Sequence, residues 1–150
     1  MGYIIVGLDN SDASRKAFHQ AVREAEWRNA SVLAIHTVSV PTSAGYEYID
    51  YMGDFLSGGQ EQTEKELNEL ESHYKNGFPV EVKHQVSVGH AGVQIIEAAK
   101  GVDGGEPAEL VVLGSRGLGG FKGLLLGSVS TYAAHHLTCP LLIIPAENEE

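Results

Sequence analysis

The sequence predicts an α/β protein built on an open five-stranded parallel sheet with helices on both faces. Three observations predict it. Short apolar runs rich in β-branched residues occur five times, helical repeats of apolar residues separate them, and the two alternate strictly along the chain. Such alternation implies right-handed crossovers, the connection that lays consecutive strands parallel and carries a helix over the sheet each time. The 150 residues suit one domain, expected over 1–150, and 43% hydrophobic against 20% charged residues is a globular composition.

The first run, YIIVGL from Tyr3, is nearly continuous in apolar residues, as a strand buried on both faces should be; so are SVLAIHTV from Ser31, ELVVLGS from Glu109 and PLLIIP from Pro140. PVEVKHQVSV from Pro79 alternates, which places it nearer an edge. Between the first two, SDASRKAFHQAVREAEWRN puts Ala17, Ala21, Val22 and Ala25 on one helical face, with Ser11 or Ser14 as N-cap and Trp27 as a packing residue. EQTEKELNELESHYKNG carries Leu67, Leu70 and Tyr74 on one stripe and stops at Gly77, its acidic residues reading as a solvated face. AGVQIIEAAKG aligns Ile95, Ile96 and Ala99, and a fourth helix runs from Ser128 to about Leu137. The segment 39–59, SVPTSAGYEYIDYMGDFLSGG, fits neither pattern: turn residues at both ends and no period predict a long loop. Its Tyr46, Tyr48 and Tyr51 could cover a ligand or pack together, packing being the favoured reading.

The formal charge of −10 argues against nucleic acid as a partner, since phosphate neutralisation requires clustered Lys and Arg. No apolar run is long enough to span a bilayer, and the N-terminal stretch turns acidic before a signal-peptide core forms. A cytoplasmic protein without membrane insertion is expected. Cys139 reads as a buried structural thiol. The charge is uneven: Leu110 to Pro145 has no Asp or Glu, while Arg116 and Lys122 give it +2.

Ligands of open parallel sheets bind beyond the carboxyl ends of strands where the strand order reverses, which directs attention to Gly7 to Ser11, Val38 onward and Gly114 onward. The last is GSRGLGGFKGLLLGSVS, a glycine-rich arch inside the acid-free region. Gly114 and Gly117 allow a sharp turn and close backbone approach. Gly127 and Ser128 open the next helix, whose N-terminal N–H groups, with the hydroxyls of Ser128 and Ser130, suit a phosphate. Arg116 and Lys122 could add charge or point to water. A Walker loop is absent, because Lys122 lies between Phe121 and Gly123; GLDNSD after the first strand has too few glycines for a dinucleotide fingerprint, and the arch has no serine elbow.

Gly114, Gly117, Gly127 and Ser128 fit the spacing G-x2-G-x9-G-[ST]. With the opening IIVGLDNSDAS, the HTV closing the second strand, the VSVGHAG turn and the ending CPLLIIP, the chain resembles the universal stress protein family, and within it the ATP-binding branch, over nearly its whole length. The resemblance implies a Rossmann-like sheet of the adenine-nucleotide alpha-hydrolase-like type, strand order 3-2-1-4-5. It implies that Gly114, Arg116, Gly117, Gly127, Ser128, Val129 and Ser130 line the phosphates and ribose, that Gly7, Leu8 and Asp9 lie near the nucleotide and its metal, and that the Val38 backbone holds the adenine. Asp9 can equally cap the first helix, and the two uses can coexist. Dimers through the last strand, Leu141 to Ile144, are implied as well. The cofactor expected is ATP, with ADP or AMP as alternatives and Mg or Mn carried through the phosphates.

The function this implies is a nucleotide-dependent regulatory dimer in a stress response, acting on a protein partner that the sequence does not name. The alternatives are a slow ATP-hydrolysing or nucleotidyl-transferring enzyme on the same fold, and a dimerisation module that binds no nucleotide. Phosphoryl chemistry needs a water-orienting or basic residue, and none is evident: Arg116 is a stabiliser, and His90, which could approach the nucleotide, is more simply a cap for the next helix. No catalytic residue is assigned, and at most weak ATPase activity is expected. His135 and His136 are adjacent rather than one helical turn apart, so they cannot face one metal together, and His36 and His84 lie within strands.

Overall fold

The computed structural model describes residues 1–39, 47–101, 104–116 and 126–146. Its elements run β1 (Tyr3–Gly7), α1 (Asp12–Arg28), β2 (Ser31–Val38), α2 (Glu47–Glu71), β3 (Val82–Val88), α3 (Ala91–Ala99), β4 (Leu110–Gly114), α4 (Ser128–His136) and β5 (Leu141–Ile144). Every pairing is parallel and the order is β3-β2-β1-β4-β5, as expected.

β1 holds the centre: Ile4 pairs with Val32 on one side and Leu110 on the other, and Ile4, Ile5 and Val6 are fully buried. Successive side chains leave on opposite faces, so each strand feeds two cores. Ile4, Val6, Val32 and Val112 meet Ala17, Phe18 and Val22 of α1 and Leu67 and Leu70 of α2. Ile5, Ile35, Val111 and Leu113 meet Ile95 and Ala99 of α3 and Ala133 of α4. Cys139 packs against this second core, and burial pushes its thiol pKa up.

β3 alternates as its sequence does, with Lys83 and Gln85 exposed, and it forms one edge. β5, whose continuous apolar run reads as a strand covered on both faces, forms the other edge, and all four of its residues are only partly buried. An apolar run states that a strand is to be covered without stating by what.

Ser11 is the N-cap of α1: its Oγ accepts the Ser14 N–H at 3.1 Å. Asn29 stops the helix in the left-handed conformation (φ 54°), its N–H donating to the carbonyls of Ala25 and Glu26. Trp27, expected to pack, is 71% exposed.

α2 corrects the loop expected over 39–59. The helix begins at Glu47 and runs 25 residues, so 47–59 is helical. The three glycines that read as breakers are tolerated for different reasons. A Cβ on Gly59 would stand 2.6 Å from Val38 Cγ2 and 2.8 Å from Val86 Cγ1, so this glycine lets the helix lie directly on β2 and β3. A Cβ on Gly53 or Gly58 would meet nothing within 4 Å. Tyr51 is exposed rather than packed; Tyr46 and the side chain of Tyr48 lie outside the described residues. At its far end the helix stops at Glu71, leaving Tyr74 in the turn beyond it. Among the described residues no helix is long and apolar enough to cross a membrane.

Candidate functional site

The chain moves outward from β1 to β2 and β3, then returns across the sheet to β4 on the other side of β1. Beyond the carboxyl ends of β1 and β4 the connections diverge, one into α1 and the other toward α4, which opens a crevice between them. Two glycines narrow its base. A Cβ on Gly7 would stand 3.0 Å from Leu113 Cδ2, and one on Gly114 would stand 2.8 Å from Ala13 Cβ and 3.0 Å from the Ala13 carbonyl carbon. Gly114 therefore lets the first turn of α1 press onto β4.

The arch leaves β4 at Gly114 and returns at Gly127, and Ser115 clasps its two feet. The Ser115 carbonyl accepts the Gly127 N–H at 2.5 Å and the Ser130 hydroxyl at 3.0 Å, while the Ser115 N–H donates to the Ile144 carbonyl at 2.8 Å. Ser115 Oγ accepts the Ala146 N–H at 2.9 Å. Ser115 and Ser130 are both buried, so the Ser130 hydroxyl spends its one proton on the clasp, where the Gly127 carbonyl also lies at 3.2 Å. Val129 packs into the α3–α4 core and Ser128 is exposed. Gly127 is the N-cap of α4, no side chain among the described residues caps the helix, and its first turn has no acidic residue. A helix leaves its first N–H groups without internal acceptors, so this end is electropositive and suited to an anion. Arg116 is partly buried at the other foot; Gly117 and Lys122 lie outside the described residues.

On the β1 side, Leu8 is a core residue, 3% exposed. Its N–H donates to the Ile35 carbonyl at 2.9 Å, and its own carbonyl lies 3.0 Å from His36 Nδ1. Asp9 supports the cap without being it: its Oδ1 accepts the N–H of the N-cap residue Ser11 at 3.0 Å and the Ser11 hydroxyl. Asn10 turns through the left-handed region (φ 64°), its two oxygens accepting from Arg15 at 2.9 and 3.1 Å. Val38 ends β2, its carbonyl accepting the Gly89 N–H at 3.2 Å. With His36, Thr37, Asp54, Phe55, Gly59 and Gln62 it lines a cleft of about 470 Å³ under the first half of α2. His90 is the cap of α3, its Nδ1 accepting the Val93 N–H at 3.3 Å.

Glu66 departs from the solvated face expected of its acidic run: it is 5% exposed. The signal for it was position, since Thr63, Glu66, Leu67 and Leu70 stand at i, i+3, i+4 and i+7 and all four are buried. Burial pushes its carboxyl pKa above the usual range; His36 and Arg15 pull it down, Asp9 adds to the rise, and the Asn10 N–H opposes it.

The fold defines a doubly wound α/β protein whose strand order reverses between β1 and β4. The universal stress protein family model matches residues 1–145, and the chain belongs to that family. A universal stress protein of Synechocystis is 30% identical, over 96% of this chain and 99% of its own length. Among solved structures, the universal stress protein UspA from Lactobacillus plantarum superposes with a TM-score of 0.80 at 22% identity, over 95% of this chain and 97% of its own. A universal stress protein in complex with cAMP superposes with a TM-score of 0.68 at 24% identity, over 95% and 96%. Others of the same fold are described with dAMP, from Archaeoglobus fulgidus (TM-score 0.60, 20% identity, over 96% and 98%), and with AMP, from Arabidopsis thaliana (TM-score 0.57, 17% identity, over 98% and 93%).

Proposed function

We propose that the protein binds an adenine nucleotide, ATP foremost, across the β1–β4 crevice and serves as a nucleotide-dependent regulatory dimer. The observation that carries this is the acid-free N-terminus of α4, capped by no side chain among the described residues and held in place by the Ser115 clasp. A phosphate there meets N–H groups already aimed at it, and the cleft beside Val38 offers room for a base. Neighbours of the same fold described with cAMP, dAMP and AMP support adenine as that base. Among the described residues no three His, Cys, Asp or Glu side chains come together to hold a metal, so a Mg or Mn ion would be carried by the phosphates. The partly buried apolar edge at β5 supports pairing of two chains there.

Calorimetric titration with ATP, AMP and cAMP, each with and without Mg²⁺, tests the reading on the wild type and on Ser128→Glu. An acidic residue in the first turn favours a helix by roughly 0.3–1 kcal/mol, so this variant should fold at least as well, while its charge repels a phosphate. Binding by the wild type that Ser128→Glu loses is the expected result. Equal binding by both would remove the start of α4 from the site, and no binding by the wild type would overturn the reading.

A further inference from the structure

The cleft under α2 has one wall from the helix and one from the end of β2. Asp54, Phe55, Gly58, Gly59 and Gln62 share one face of α2 at helical spacing, and β2 supplies His36, Thr37 and Val38. Its volume of about 470 Å³ is that of a small-molecule site. The two glycines of this wall differ. Gly59 is required by its packing on Val38 and Val86, but a Cβ on Gly58 would meet nothing within 4 Å, so the space beside it is open although glycine weakens a helix interior. Val38, expected to hold a base through its backbone, turns its carbonyl toward β3, where it accepts the Gly89 N–H at 3.2 Å. His36 offers a fixed polar edge instead. Its Nδ1 lies 3.0 Å from the Leu8 carbonyl, which can only accept, so Nδ1 carries the hydrogen and in the neutral ring Nε2 is an acceptor. Its Cδ2 would stand 3.7 Å from a Cβ on Gly59, which puts the adjoining Nε2 on the α2 side of the ring, where the cleft lies. Among the described residues none hydrogen-bonds to that nitrogen. Asp54 and Gln62 are exposed, so water competes for their polar atoms, whereas His36 is partly buried and its ring is held.

We propose that His36 is a specificity-determining residue of the nucleotide site: the base enters the cleft beside Gly58, and His36 Nε2 accepts a hydrogen from its exocyclic amino group. A purine that carries a carbonyl oxygen in place of that amino group sets lone pair against lone pair and is rejected. This inference deepens the nucleotide reading above and rests on it.

The test is calorimetric titration of AMP and of IMP, which has a carbonyl oxygen where AMP has the amino group, into wild type and His36→Asn at pH 8. The asparagine amide nitrogen takes the place of Nδ1 toward the Leu8 carbonyl, while Nε2 is gone, so a merely structural role is kept and the reading of the base is removed. The expected result is a preference for AMP of about tenfold in the wild type that falls to about twofold or less in the variant. An equal preference in both proteins, or no preference in the wild type, overturns the proposal and leaves the nucleotide reading standing. No binding of either nucleotide by the wild type overturns both. Should His36→Asn not fold, Gly58→Leu decides, since its side chain starts in open space and fills the cleft. A loss of AMP affinity of about tenfold or more with an undiminished melting temperature supports a base seated there, and unchanged affinity overturns it.

Discussion

At Glu66, burial, with a further push from Asp9, raises the folded-state carboxyl above its ordinary value of 4.5, against His36, Arg15 and the Asn10 N–H. The folded state then holds more protons than the unfolded chain, so the stability this group contributes is complete below 4.5 and is lost as pH rises through the folded value. Glu66→Gln should therefore raise the melting temperature near pH 8 and leave it nearly unchanged near pH 4, which thermal melts at the two pH values would show. His19 has the opposite sign. Its Nδ1 lies 2.7 Å from the Tyr74 hydroxyl, and burial, then the neighbouring His73, lowers its pKa below 6.5. Its contribution is complete above 6.5 and is lost as pH falls toward the folded value, so wild type should lose more stability than His19→Gln between pH 7 and pH 5 in urea titrations. At the clasp, Ser130→Ala leaves the Ser115 carbonyl with the Gly127 N–H alone and should cost about 1 kcal/mol.

Among the elements, α2 separates what a glycine can mean. Gly53→Ala places a methyl in open space in a helix interior and should stabilise by roughly 0.5–1 kcal/mol. Gly59→Ala drives one into Val38 and Val86 and should destabilise by about 1–3 kcal/mol, a difference that denaturant titration of the two variants resolves. Sequence pattern treats both residues alike, as breakers, which is why a helix starting at Glu47 reads as a loop. The same element hid Glu66. Its place on the Thr63, Leu67, Leu70 stripe was legible, but a carboxylate on a buried stripe is uncommon, and an acidic run is more often a solvated face.

For the whole molecule, the two sheet edges differ. β3 shows exposed Lys83 and Gln85, whereas β5 presents partly buried apolar residues, of which Leu142 and Ile144 pack on the α1 face of the sheet and Leu141 on the α4 face. An apolar edge invites a second chain. Sedimentation should find a dimer for the wild type and a monomer for Ile143→Lys, with a circular dichroism melt confirming that the variant folds; a wild-type monomer would remove the dimer from the proposed function. By itself the sequence determined the α/β class, the five strands and the acid-free arch, because these follow from local periodicity, glycine spacing and the run of charges along the chain. Only the tertiary structure decided that Gly114 and Gly59 serve close packing, that Ser130 is spent on a clasp, and that Glu66 is shut away from water. Those depend on which backbone lies within a few ångströms of which side chain, a relation between residues far apart in the chain that no local pattern encodes.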